Sequence, residues 1–485
     1  MPVRNVTLGL RSNPERRNDS GAGRLINCYA EDAGEDAPFR YPLYACDGFS
    51  SFSTLTGSGI GVCRGMLNLD DTTLYVVSGQ RINSVDTAGT ATDKGALATS
   101  GYAYMARNRK TTPQVAIVTS DGLFRIIEGG TVSTPSLDGS IPASLFNSVC
   151  AHDGYFIITL SNGEWYITSI DEGTSIDALD FSTAASNPDG LSRALVRARD
   201  LVLMGPRSIE YYTNTGAADF PFERVHASTV GLYAPASAVA LSAVIDGSTA
   251  DTIAFAAANN DGAFIGVMIL AGYEARKIST PALDRAIRDE PTKSSIRGFQ
   301  YTRQGITFYC VTGSSFSWEW NAKTGFLHER ISSGLDIWRV VDAVTFNDET
   351  VYGDYTSGVL YQADHALTPG SASACTVRQS LDNGSTWNTL RAKSIGGSGA
   401  ELTRLRFNRF GMAREKGRIL EIALTNAVIE NGTANSMTVY PPPMHAWPAR
   451  TRMHALFVDA TSGASLTSNP KGFARLAMDV DAVKE

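Results

Sequence analysis

The chain is poor in the residues that build metal clusters and disulfide frameworks. Its 485 residues include six cysteines and six histidines. Cys28, Cys46, Cys63, Cys150, Cys310 and Cys375 are widely spread and form no CxxC pair, which reads as buried thiols in a reducing compartment rather than crosslinks. The histidines do not recur at metal-ligand spacing, so no metal site is expected. No apolar run approaches the length of a membrane span. The opening MPVRNVTLGLRSNPERRND lacks the apolar stretch of a secretory signal. GxSxG, the phosphate-loop lysine motif and HExxH are all missing, so no catalytic residue and no cofactor is assigned. Positive charge is in the minority: 42 Lys and Arg stand against 49 Asp and Glu, for a net charge of −7, which argues against a dedicated nucleic-acid binder.

What is present is β texture. Residues 1–61 are rich in Gly, Ser, Pro, Asp and Arg and read as an extended arm and interface segment. From residue 62 an apolar strand, a tight turn and an aromatic-rich strand recur, as in LYVVSGQRINSV (74–85), VAIVTSDGLFRII (115–127) and YFIITLSNGEWYIT (155–168). The turns at Gly79, Gly122, Gly163, Pro206, Gly262, Gly313 and Gly358 are spaced by 41 to 56 residues. That period suits propeller blades of four strands, because one blade cannot cover both its faces but radially packed blades cover each other. Asp-Gly and Asn-Gly pairs supply the positive φ of tight hairpins. The expected fold is all-β: a β-propeller of six or seven blades over 62–365, then a C-terminal β-sandwich-like domain over 366–485. Two β-sandwiches are the alternative. Helices are scarce, and TPALDRAIRDE (280–290) is the best candidate, on a connection between blades.

Three features of the C-terminal part could carry function. SLDNGSTW (380–387) resembles the Asp-box turn of sialidases and other propellers, with Asp382 accepting backbone N–H groups, Gly384 in a glycine-only conformation and Trp387 packing beneath. All three roles are structural. Sialidase chemistry would also need three arginines, a Tyr/Glu pair and an acidic Asp; the nearest string to its first arginine motif is Phe124-Arg125-Ile126-Ile127. Second, residues 391–420 hold eight basic side chains against Glu401 and Glu415, so this segment is +6 and the rest of the chain −13. Arg404, Arg406, Arg409, Arg414 and Arg418 are its candidate partner or channel contacts; a solvated strand face is the plainer reading. Third, YPPPMHAWPAR (440–450) is a stiff proline-rich loop ending in Met444, His445 and Trp447, either a reaching contact or an ordinary surface loop.

The order of several strings resembles one family. NCYAE (27–31), YPLYACDGFSSF (41–52) and CRGMLNLDDTTLYVVSGQRI (63–82) are followed by SNPDGLSRALVRARDLVLMGPRSIEYYTNTGAADFPFERV (186–225), then SLDNGSTW and RFNRFGMAREKGRILEIAL. The succession resembles the packaged-DNA stabilisation, or tail hub, proteins of short-tailed bacteriophages. Cys46-Asp47-Gly48-Phe49 departs from the family's frequent Pro-Gly but keeps the glycine. The resemblance implies a structural virion protein without catalysis, made in the host bacterial cytoplasm. It implies a homo-hexamer below the portal and adaptor ring, with a tail needle or plug and tailspikes or fibres nearby. Genomic DNA would pass through the lumen without sequence-specific binding, along a wall whose acidity reduces sticking. The competing expectations are a glycan-binding or glycan-cleaving propeller at the tail tip and, against the lack of Gly-His and Trp-Asp repeats, a WD-type interaction propeller.

Overall fold

The computed structural model describes residues 4–6, 9–14, 23–36, 40–184, 186–364, 374–382, 384–395, 403–413, 418–442, 450–461 and 472–483. Among these, strands dominate and Pro281–Asp289 is the one α-helix; no helix is long and apolar enough to cross a membrane.

Seven antiparallel units follow one another along the chain, four-stranded except the fifth, where Gly231–Leu232 and Val239–Ile245 both pair with Ser248–Ala258 to make five strands. Blades 1 to 6 begin with the strands Cys63–Asn68, Ala103–Arg107, Phe146–His152, Arg193–Arg197, Val239–Ile245 and Arg297–Arg303, and blade 7 with Val340–Phe346. Each neighbouring pair encloses an apolar layer. Tyr75, Val77 and Ile82 of blade 1 face Val115, Ile117 and Ile127 of blade 2. Val341, Phe346 and Val351 of blade 7 face Cys63, Leu74 and Val76 of blade 1, which closes the ring. Five further layers fill the places between. Each aliphatic side chain fully buried there contributes roughly 1.5–3 kcal/mol. Radial packing also explains the burial gradient. The second strand Gln114–Thr119 is buried throughout, whereas the outer strand Phe222–Ser228 is mostly exposed.

Blade 7 is completed by the N-terminal segment. Gly48–Thr54 runs antiparallel to Val359–Asp364, from Val359 opposite Thr54 to Asp364 opposite Gly48. Phe49 packs 4.6 Å from the Tyr361 ring. The ring is thus clasped by strands from opposite ends of the propeller sequence, and Val359–Asp364 is not left as an open edge. The stretch 1–61, read from sequence as an extended arm, therefore supplies a blade strand.

The same stretch also enters the C-terminal unit. Cys28–Ala30 and Leu43–Ala45 join a sheet with Thr403–Ala413, Arg450–Thr461 and Gly472–Val483, while Arg24–Ile26 pairs with Thr433–Tyr440. One apolar core takes Leu405, Phe407, Leu456 and Val458 from the first sheet and Val377, Ile422, Leu424 and Val439 from strands of the second. The hairpin between Ile419–Glu430 and Thr433–Tyr440 turns at Asn431-Gly432, both at positive φ (46° and 80°), as a tight hairpin turn requires.

The helix Pro281–Asp289 lies between blades 5 and 6. Pro281 fixes its first turn. Asp284 in that turn accepts from Lys277 Nζ and Ser279 Oγ, both at 2.5 Å.

Candidate functional site

The first strands of blades 1 to 4 and of blade 7 line a cavity of about 340 Å³. Met66, Tyr102, Tyr104, Cys150, Arg193 and Asp342 are among its lining residues, and among the described residues Asp342 is its one carboxylate. The Arg193 guanidinium lies 4.6 Å from the Tyr104 ring centre and donates to the Pro235 carbonyl at 3.0 Å. Arg297 repeats the arrangement, 5.6 Å from the Tyr102 ring centre and donating to the Cys63 carbonyl at 2.7 Å. Both arginines thus reach beyond the adjoining blade, Arg193 of blade 4 to Tyr104 of blade 2 and Arg297 of blade 6 to Cys63 of blade 1.

Asp342 is buried, and burial raises its carboxyl pKa to about 7, against the opposing pull of the Ala343 N–H, Arg297, the Met66 N–H and Arg193. The Tyr102 and Tyr104 phenols are pushed up by burial, and the Cys150 thiol to about 12. Arg125 of the sialidase-like string sits in the third strand of blade 2, Phe124–Glu128, and donates to the Phe124 carbonyl at 2.8 Å.

These channel residues were not singled out from sequence. Arg193 and Arg297 open the first strands of their blades, and Asp342 is the third residue of its own. Laying the blade period over charged strand starts is the signal that finds them. The same pattern marks Arg64, second in its strand and buried, whose guanidinium donates to the carbonyls of Gly79, Thr99 and Gly101.

The Asp-box-like turn has a definite geometry. Asp382 Oδ1 accepts the Thr386 N–H at 2.8 Å and the Ser380 hydroxyl at 2.7 Å, and Oδ2 accepts the Thr386 hydroxyl at 2.5 Å. These bonds, the Thr386 hydroxyl foremost, lower the Asp382 pKa to about 2. Gly384 is at φ +86°. Trp387 meets Tyr440 edge to face and the Arg378 guanidinium at 4.8 Å. The turn ends the strand Ala374–Ser380 of the C-terminal unit, far in sequence from the channel strands.

The basic segment is less free than its charge count suggests. Arg404 makes a two-pronged pair with the buried Asp459, at 2.7 and 2.9 Å. Arg406 lies over the Phe457 ring at 5.4 Å. Arg409 is exposed, at a positive φ of 65°. Arg418 corrects its assignment as a surface contact: it is 2% exposed and donates to Gln379 Oε1 and the Phe410 carbonyl, at 2.5 and 3.1 Å. Its strand neighbours bury it because Gln379 and Phe410 present two acceptors inside the sheet pair. Arg414, Met444, His445 and Trp447 lie outside the described residues.

A family model described as bacteriophage P22 Gp10, beta-propeller, of the phage stabilisation type, matches residues 43–368. The chain belongs to this family. It is accordingly a phage structural protein of a tail family. The Gp10-family match runs from the strand before the clasp to just past the last strand of blade 7, so it takes in every blade. The C-terminal unit from residue 369 lies beyond it.

No curated protein matches the chain. Solved structures similar to it include a streptogramin B lyase, at TM-score 0.44 and 11% identity over 65% of this chain and 97% of that one. Virginiamycin B lyase from Staphylococcus aureus gives TM-score 0.44 and 11% identity over 64% and 97%. The WD40 beta propeller domain of Doa1 gives TM-score 0.38 and 12% identity over 66% and 98%. Likenesses this distant carry no argument about activity.

Proposed function

We propose that the chain is the hub, or nozzle, of a short phage tail: a hexameric ring below the portal and adaptor that retains packaged DNA and forms its exit channel. The Gp10-family match across all seven blades is the observation that carries this reading. The clasp supports it mechanically. Strands from residues 24–54 are woven into both the C-terminal unit and blade 7, so a load on one unit is shared with the other. The net charge of −7 disfavours sticking of DNA to the lumen.

On this reading the protein is not an enzyme. Asp342 is the one carboxylate among the described residues lining the cavity, which gives no support to sialidase-type cleavage with its nucleophile pair and separate acid. Its partners are further copies of itself, the portal and adaptor ring, a tail needle or plug, and tailspikes or fibres. Its place is the virion tail, after synthesis and assembly in the host cytoplasm.

Quantitative peptide mass spectrometry on purified, genome-filled particles tests the proposal. One copy of this chain for every two portal subunits is expected. Absence from particles, with the chain soluble in the lysate, removes the hub reading and favours a glycan-active propeller.

A further inference from the structure

Where the chain passes from the C-terminal unit into blade 7, three metal-ligand side chains converge. Cys46 lies between Leu43–Ala45 of one unit and Gly48–Thr54 of the other. Glu319 and His328 come from the third and fourth strands of blade 6, Ser317–Asn321 and Leu327–Glu329. All three are buried, at 4%, 1% and 2% exposure. Their ligand atoms lie within 4.8 Å of one another. His328 Nε2 is 3.6 Å from Cys46 Sγ and 2.6 Å from Glu319 Oε2.

One imidazole nitrogen therefore faces both the thiol and the carboxylate. That excludes a Cys-His-Glu nucleophile relay, which would use the two ring nitrogens separately. It suits a single ion. We propose that Cys46, Glu319 and His328 form a structural site for a borderline-soft divalent cation of the zinc class, which staples the interdomain crossing to blade 6.

Bond lengths test the fit. Tetrahedral zinc with ordinary bonds sets sulfur and nitrogen roughly 3.6 Å apart and nitrogen and oxygen roughly 3.3 Å apart. The thiol and imidazole already have that spacing. The imidazole and carboxylate must open by roughly 0.7 Å, a small side-chain rotation. The surroundings orient the ligands as outer-shell groups do. Tyr301 Oη and Arg330 Nη1 each donate to Glu319 Oε1 at 3.1 Å, leaving Oε2 to face the imidazole and the thiol. Cys310 Sγ, 3.5 Å from Oε1, places a second thiol beside the same carboxylate.

A zinc-class ion binds a thiolate and an unprotonated ring nitrogen, so its entry releases the protons those atoms carry. The crossing is already held by the buried Arg303–Asp47 pair at 2.7 Å and by Arg330 donating to the Asp47 carbonyl at 3.2 Å. The ion adds bonds from that crossing to two strands of blade 6.

The test uses the full chain, made without a histidine tag in minimal medium supplemented with Co(II), because a buried site is filled during folding. Metal content is read by mass spectrometry, and the thiolate-to-cobalt charge-transfer band by absorption. The expected result is close to one cobalt per chain, with the band lost in Cys46→Ala and kept in Cys375→Ala. No cobalt above background in the folded wild-type chain overturns the proposal and leaves the cluster as a buried ion network. So does a band that survives Cys46→Ala. Should Cys46→Ala fail to fold, His328→Gln serves, and the wild-type measurement alone remains decisive. The outcome is independent of whether the chain is a tail hub.

Discussion

Burial in the cavity leaves Asp342 reluctant to ionise. Its carboxyl pKa of about 7 lies above the ordinary 3.8 of an unfolded chain. A group raised in this way contributes stability that is complete below about pH 4 and is lost as pH rises through about 7. The Asp342→Asn variant keeps an oxygen to accept the Ala343 N–H, held by Asp342 at 2.9 Å, and cannot ionise. Its stability relative to wild type is expected to rise between pH 4 and pH 8, by up to about 4 kcal/mol. Denaturant melts at the two pH values measure it, and a difference that does not change with pH sinks the argument. Asp382 runs the other way. Its pKa of about 2 comes from bonds within one turn, so they persist at neutral pH and are lost as pH falls below about 4 towards 2. In Asp382→Ala the Thr386 amide should exchange with deuterium much faster, while amides of blades 1 to 6 stay as protected as in wild type. Unchanged protection at Thr386 would show that the carboxylate does not hold the turn.

At the scale of elements, the clasp is the most informative. Gly48–Thr54 is one short strand, yet it covers the outer edge of Val359–Asp364 and carries Phe49 into the layer between blades 6 and 7. Phe49 is 1% exposed. Phe49→Ala should cost about 3–5 kcal/mol, as large-to-small changes in a well-packed core do. Chemical denaturation reads this directly, and a loss under about 1 kcal/mol would mean that the strand is not what keeps blade 7 closed. Deleting residues 1–54 should do more. It removes the blade 7 edge strand and four strands of the C-terminal unit at once (Arg4–Val6, Arg24–Ile26, Cys28–Ala30 and Leu43–Ala45), so the expected product is aggregated chain on size exclusion, with no monomer peak.

For the whole molecule, charge and the ring proposal make one joint prediction. The chain is −7 overall, and among its described basic residues Arg404 is tied to Asp459 and Arg418 is buried. Duplex DNA should therefore be retained only weakly, even at about 50 mM salt, and not at about 200 mM. Filter binding checks this. Tight retention with a steep salt slope would contradict a lumen past which DNA slides.

The sequence by itself determined the class of fold. Alternating strands, Asp-Gly turns and a period near that of a four-stranded blade are local signals, and they are set by backbone stereochemistry and by the need to cover both faces of a blade. The Asp382–Trp387 turn and the helix between blades 5 and 6 were legible for the same reason, since each is built within about ten residues of chain. The order of strings in residues 27–425 also pointed to the family. The tertiary structure decided what depends on distant segments. Blade count follows from ring closure, and closure depends on a strand from residues 48–54 whose polar Ser-rich texture resembles a loop. Arg418 looked like a surface charge because its partners, Gln379 and Phe410, come from other strands. Cys46, Glu319 and His328 share no spacing that sequence could flag, and more than 270 residues separate the first from the others. Asp342 acquires its chemistry only when the blades enclose it, because burial, which no residue carries in its own sequence neighbourhood, is the cause of its raised pKa.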